Sequence, residues 1–362
     1  MLQKYKMAID HFRNAITLNC HSLEAYYNLS IAYFEQKEYE NAEQALRNVI
    51  NINYKYIDGW NSLGHVLIKL NRTKEAKSAY FESLSIKQNF VAAYSIAGLL
   101  NNFSESESYY KLAIKLNSKF AACHFDLGNL YLNKGQWKLA IFSYRNALKY
   151  DDSLYIANYY MGVAYHNLGK KSEAINECLK AWDKNKKCYK SIKLIARLLI
   201  HEDNAASLKY FNSIPTCELN SYETFLFAHV LESSNKAKLA KLKFTDAYNT
   251  DKNNLKALWS KYLVLPAIYN TNDEIYYWRS EWEKGVKNLL KIIKSNYFKT
   301  NEEAINFLNY QTNFYLHYQG LNDKDLQIQY GKLIDYICSI YPLNSKNSAT
   351  IAKNGKIKLA FV

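Results

Sequence analysis

The side chains best suited to hold a ligand in this sequence are aromatic rings and amides that recur at wide, regular intervals. Tyr27, Asn28 and Ile31 form one group with Glu24, and Asn61 and His65 a second with Asp58. Phe125, Asp126 and Asn129 form a third, Tyr159 and His166 a fourth with Val163, and Phe225 and His229 a fifth. Amides of this kind bond the backbone of an extended peptide while rings cover its side chains. The chemistry on offer is recognition of polypeptide. Residues that make or break bonds are present but dispersed. His65, His166 and His229 fall in separate groups, where a lone imidazole reads as a polar surface residue. His317 reads as structural. Glu302 and Glu303 are consecutive near a helix start, which suits the helix dipole better than acid–base exchange. The six cysteines, Cys20, Cys123, Cys178, Cys188, Cys217 and Cys338, show no short pairing and read as free, small hydrophobes. No helix offers metal ligands at i, i+4, and no glycine-rich phosphate loop, nucleophile elbow or HExxH motif occurs. No cofactor is expected in this chain.

The recognition groups need a scaffold, and residues 121–154 supply its unit. An apolar helix pattern places His124, Leu127, Gly128, Leu130 and Tyr131 inward, a turn follows at Gly135, and a second helix places Trp137, Ala140, Tyr144 and Ala147 inward. Glycine inside a helix costs about 1 kcal/mol against alanine, so Gly128 marks a place where a neighbouring helix leaves no room for a side chain. The same register recurs. Ser30, Gly64, Gly98, Gly162, Ala196 and Ala228 take the place of Gly128, and Ala15, Val49, Ser83, Ala113, Ala181, Ser213 and Ala247 that of Ala147. Most steps are 34 residues; shorter ones fall at 91–120 and 189–220, with tightened turns expected at Asn101–Asn102–Ser104 and Glu202–Asp203–Asn204. A helix–turn–helix period with Leu–Gly, Tyr, Ala, an aromatic and Ala at these offsets resembles the tetratricopeptide repeat. The resemblance implies an all-α fold: a right-handed α-solenoid of about seven and a half repeats over residues 1–254. Each hairpin alone is marginal in water, so stacking on its neighbours must stabilise it. The first helix of each hairpin then lines a concave groove, where the five groups above are expected to face a ligand.

Composition narrows the classes further. With 362 residues, 49% hydrophobic, the chain can bury a large core, and 3 prolines with 11 glycines argue against a β-rich protein. No apolar run approaches a membrane span, and Lys4, Lys6 and Asp10 interrupt any signal-peptide core. A cytoplasmic location is the expectation. The net charge of +14 invites nucleic acid, but the lysines are spread through the repeats and form no stripe, so specific nucleic-acid binding is not expected.

Both ends depart from the period. Residues 1–22 read as the second helix of a repeat. After Asn254 come a helix at 255–265 stopped by Pro266, one from about 272 to 295, one capped by Thr300 or Asn301, and one after Asp323 that Pro342 stops. These make a helical adaptor over 255–341. Residues 342–362 read as a linker ending in one orphan β-strand, Lys356–Val362, which needs a sheet to pair with. The runs Pro266–Tyr269, Glu274–Arg279, Asn313–Gly320 and Asn322–Asp323 resemble the adaptor of bacterial SPINDLY-like proteins, in the O-linked N-acetylglucosamine transferase family (glycosyltransferase family 41). In that family the strand opens the first Rossmann-like lobe. The resemblance implies a substrate-recruiting region that binds protein, with catalytic residues and the sugar-nucleotide site downstream of this sequence. A sugar nucleotide is a partner only if that core exists. Asn28 matches the family's asparagine ladder, but Ser62, Ile96, Asp126, Tyr160, Leu194 and Leu226 do not continue it. Phe125 replaces a lysine that a carboxylate clamp requires, so that mode is rejected. The alternative is a free-standing repeat scaffold that assembles other proteins and has no enzymatic role.

Overall fold

The computed structural model describes residues 2–293, 297–308 and 319–340, and every regular element among them is a helix. The expected strand at 356–362 and linker at 342–355 lie outside the described residues, as does the run 313–318. The chain forms two compact units, Met1–Ser191 and Ile192–Val362.

The first unit begins with a single helix, α1 (Leu2–Leu18), followed by helix pairs. These are α2 (Leu23–Glu35) with α3 (Tyr39–Ile52), α4 (Ile57–Lys69) with α5 (Thr73–Ile86), and α6 (Phe90–Leu99) with α7 (Phe103–Leu116). Next come α8 (Ala121–Asn133) with α9 (Trp137–Tyr150) and α10 (Tyr155–Asn167) with α11 (Lys171–Lys184). Each first helix packs on its own second helix, and each of the second helices α3, α5, α7 and α9 packs on the first helix of the next pair. Small residues make this possible. Ala42, Val49, Ala76, Ser83, Ala113, Ala140, Ala147, Ala174 and Ala181, all on second helices, are fully buried. A Cβ on Gly64 would lie 2.6 Å from the Tyr80 ring, and one on Gly162 2.5 Å from the Cys178 sulfur. Burial in these seams, rather than the propensity of any one helix, holds the stack.

The turns inside the pairs share one device. Lys37, Asn71, Gly135 and Gly169, at the same place in four pairs, all have φ between 58° and 76°. This left-handed residue ends the first helix and lets its amide reach back into the last turn, as Lys37 N–H does to the Phe34 carbonyl at 2.9 Å. Where the period is short, the first helix is what shortens: α6 has 10 residues against 13 in α2, α4, α8 and α10. The register shifts too, because the loop ahead of α6 (87–89) has three residues where its counterparts (53–56, 117–120 and 151–154) have four. Gly98 is exposed, and a Cβ there would meet only the Tyr110 hydroxyl, at 3.6 Å, whereas Ala97 is 2% exposed. Ala97, not Gly98, therefore takes the small-residue place in the third pair.

The second unit holds the rest of α12 (Tyr189–Leu198) from Ile192 on, α13 (Asn204–Asn212), a short 3₁₀ turn (Thr216–Glu218), and the pair α14 (Ser221–Ser233) and α15 (Ala237–Thr250). Then follow α16 (Leu255–Leu263), α17 (Asn272–Ile292), α18 (Asn301–Leu308) and α19 (Lys324–Ile340). Asp203, Asn220, Asn254 and Thr271 cap helices with their side chains, and Asn220 with Glu223 forms a reciprocal capping box. One face of α17 is buried at Trp278, Trp282, Val286 and Leu289, and its C-cap Ile293 is buried with them. Trp259 and Trp282 are both fully buried, and Tyr330 of α19 packs near both rings, at 6.0 and 5.7 Å between centroids.

Candidate interaction face

Side chains on successive first helices of the first unit reach one another across the gaps between pairs. Tyr27 on α2 and Ser62 on α4 meet at 3.3 Å through their hydroxyls, and the Phe34 and His65 rings of the same helices lie 4.9 Å apart. The Asn61 amide donates to Asn89, the cap of α6, at 3.4 Å, and Asn61 accepts from Ser83 at 2.7 Å. The Tyr94 hydroxyl on α6 donates to Asp126 on α8 at 2.6 Å, and Phe125 on α8 lies 6.0 Å from Tyr160 on α10. These contacts make one strip running from α2 to α10.

The strip is most developed around Asp126. Its two carboxylate oxygens accept from Tyr94 (2.6 Å) and from the Asn129 amide (3.3 Å). Asn129 in turn accepts from the buried Tyr144 hydroxyl at 2.8 Å, which ties the strip to the seam beneath it. Phe125, Tyr144, Tyr159 and Tyr160 pack as a cluster with centroids 5.1–6.0 Å apart. Burial, followed by the bond to Asp126, raises the Tyr94 pKa above that of a free phenol, so this hydroxyl is a donor throughout the working range. Burial first and Asp126 second push the Cys123 thiol up to about 12, which leaves it unreactive. Its Sγ donates to the Tyr110 carbonyl at 3.4 Å. At the other end of the strip, burial and then Tyr27, Asp58 and Glu24 raise the pKa of Tyr56.

Of the residues expected on this face, Asn28, Ile31, His65 and His166 are exposed, and Tyr27, Asn61, Phe125, Asp126, Asn129 and Tyr159 are partly exposed. Those from Tyr27 to His166 all belong to the first unit. Phe225 and His229 lie in the second. Phe225 is 5% exposed against Phe244, 5.5 Å between centroids, so it is a core residue that presents no surface to a ligand. The cause is local: seven of the 13 residues of α14 are buried, more than one helix face can hold. His229 is partly exposed and meets His201 edge-on at 5.4 Å. Tyr94 is absent from the expected groups. With Ala97 as the small residue of its pair, Tyr94 falls in step with Phe125 and Tyr159, and that register is the signal that finds it. Among the described residues no group of three His, Cys, Asp or Glu could hold a metal ion, and no helix is long and apolar enough to cross a membrane.

Another polar cluster lies in the second unit, on residues of the adaptor runs. Arg279 donates to Asp323 at 2.5 Å, to Gln319 at 2.8 Å and to the Asn322 carbonyl at 2.7 Å. Gln319 donates onward to the Tyr269 hydroxyl at 2.6 Å. The cluster ties the segment before α17 and the start of α19 to α17 itself.

Comparison with known proteins agrees with the helix pairs. The family described as "Tetratricopeptide repeat" matches residues 23–56 and 57–90, and that described as "TPR repeat" matches 128–169. Anaphase-promoting complex subunit 3 of Schizosaccharomyces pombe (strain 972 / ATCC 24843) is 22% identical over 209 residues, 56% of this chain. The match covers 31% of that protein, so the chain spans under a third of the relative. Among solved structures, YrrB, a TPR protein with an unusual peptide-binding site, is 20% identical with a TM-score of 0.43, covering 50% of this chain and 95% of that one. MamA is 19% identical with a TM-score of 0.42, covering 46% and 92%. The C-terminal part of a TPR repeat-containing protein from Cytophaga hutchinsonii is 15% identical with a TM-score of 0.47, covering 71% and 94%. The helix pairs, the 34-residue step and the matched segments together identify tetratricopeptide repeats in a chain whose described residues form only helices as regular elements.

Proposed function

We propose that the strip on the first helices of residues 23–167 binds an extended segment of another protein. The observation that carries this reading is the contact of side chains from one first helix to the next, from Tyr27 with Ser62 through to Phe125 with Tyr160. A continuous band of rings and amides of this length offers hydrogen bonds for a peptide backbone and apolar cover for its side chains. Tetratricopeptide repeats are protein-interaction repeats, and the chain acts in this reading as a recruiting scaffold. A photo-crosslinking residue at Ile31, His65 or His166 is expected to capture polypeptide from a lysate, and one at Phe142, exposed on the second helix α9, is expected to capture far less. Equal capture at all four positions would sink the reading.

A second reading adds an enzyme. The residues that resemble the SPINDLY-like adaptor include Tyr269, Arg279, Gln319, Asn322 and Asp323, and these meet in one hydrogen-bonded cluster. That convergence favours a shared adaptor, and with it a recruiting role for a protein O-glycosyltransferase whose sugar-nucleotide site lies outside this chain. The deciding observation is the coding sequence after Val362. An open frame continuing into a two-lobed core supports the transferase, and a stop codon supports the free-standing scaffold.

A further inference from the structure

The five first helices of the first unit are nearly devoid of cations. Their charged residues are Glu24, Glu35, Asp58 and Asp126 against Lys69 alone. The whole chain, by contrast, carries 47 Lys and Arg against 33 Asp and Glu. The helices that carry the strip are net acidic in a basic protein. That is the reverse of what a phosphate backbone requires.

Asp126 is the point where this imbalance is concentrated. Other carboxylates packed between helices of this unit hold a cation: Glu43 has Arg47 at 2.7 Å and Arg72 at 2.6 Å, Glu107 has Lys111 at 2.6 Å, and Glu177 has Lys180 at 2.7 Å. Among the described residues Asp126 pairs with no cation, and it accepts instead from the neutral donors Tyr94 and Asn129. A partly buried carboxylate without a counter-charge is costly, and a ligand that brings one recovers that cost. Each carboxylate oxygen has two lone-pair directions, and one on each is already used. The two left over, one per oxygen, match the paired N–H groups of a guanidinium. Phe125, the residue before Asp126 on α8, and Tyr160 on α10 have ring centroids 6.0 Å apart, and a guanidinium stacks on aromatic faces where an ammonium only approaches them.

We infer that Asp126, with Tyr94, Phe125, Asn129 and Tyr160, receives an arginine side chain of the bound protein segment. This rests on the reading of the strip as a polypeptide-binding surface and adds the charge of its partner. The positive charge elsewhere on the chain repels such a segment only weakly, because charges more than about 8–10 Å away are screened at physiological salt.

The test uses the full chain and three mixtures of fluorescein-labelled nonapeptides, identical except for a fixed central residue: arginine, norleucine or glutamate. Fluorescence anisotropy is expected to show the arginine mixture binding about tenfold more tightly than norleucine, and glutamate most weakly. Asp126→Asn should remove the arginine advantage while leaving norleucine binding in place, and Asp126→Glu should keep part of it. Should Asp126→Asn unfold by circular dichroism, Phe125→Leu provides the second variant, which keeps the carboxylate and is expected to cut the advantage several-fold. Equal binding of arginine and norleucine mixtures overturns the inference but leaves the peptide-binding reading standing. Failure of all three mixtures to bind overturns both.

Discussion

The ring of Tyr144 fills the space that a side chain on Gly128 would need: a Cβ there would lie 2.7 Å from two of its ring carbons. The same ring donates its hydroxyl to Asn129 on the candidate face. Packing of α8 against α9 and the layout of the face are thus set by one residue.

Gly128→Ala is expected to destabilise the chain by about 1–2 kcal/mol, an overpacking cost partly offset by the better helix propensity of alanine. Urea unfolding followed by circular dichroism measures it. Gly128→Ala with Tyr144→Leu should recover part of the loss, and a wild-type midpoint for the single variant would contradict the packing argument.

Two glycines of the second unit should respond in opposite directions. A Cβ on Gly285 of α17 would run into the backbone carbonyl of Tyr262, which cannot swing aside as a side chain can. Gly331 of α19 has nothing within 4 Å. Gly285→Ala is expected to cost about 3 kcal/mol or more, and Gly331→Ala to gain up to about 1 kcal/mol. Thermal melts of the two variants side by side decide the matter.

Lys37 has φ 64°, a conformation that glycine adopts without the strain a Cβ brings. It is exposed. Lys37→Gly is therefore expected to stabilise the first hairpin by about 0.5–1 kcal/mol, read as a higher melting temperature.

The Arg279–Asp323 pair joins residues 44 positions apart, with side chains 13% and 11% exposed. Removing one partner leaves a mostly buried charge unmatched, so Arg279→Met or Asp323→Leu should each cost about 3–5 kcal/mol, and the double variant less than the sum. A double-mutant cycle in urea gives the coupling; strict additivity would mean the pair does not interact.

His229 has a pKa lowered from the ordinary 6.5 by burial and then by His201. The unfolded chain therefore takes up the proton at a higher pH than the folded one. The contribution of this group to stability is complete above pH 6.5 and is lost as pH falls through the lower folded value. Melting temperature should drop between about pH 7 and 5, and His229→Gln should flatten that slope. An unchanged slope would remove His229 as its source.

Periodicity carried much of the fold because each seam repeats a local rule. A small residue faces a large one, as at Gly64 under Tyr80, and that rule is visible in spacing alone. It fails where the period is broken. In the third pair Gly98 has the look of the small residue because glycine is conspicuous, but the loop ahead of α6, one residue short, moves Ala97 into its place. That slip conceals Tyr94, and with it half of the hydrogen bonding at Asp126. Phe225 is misplaced for a different reason: helical spacing marks one face, while α14 is covered on more than one. The Arg279 cluster is invisible in another way, since both partners are plain in the sequence but nothing local joins positions 279 and 323.

The left-handed residue between paired helices is lysine at 37, asparagine at 71 and 235, and glycine at 135 and 169. What these joints have in common is a sign of rotation about one bond, and three side-chain types satisfy it. A profile that rewards glycine there will score only two of these five hairpins at that column. One that tolerates asparagine and lysine will read all five as the same joint.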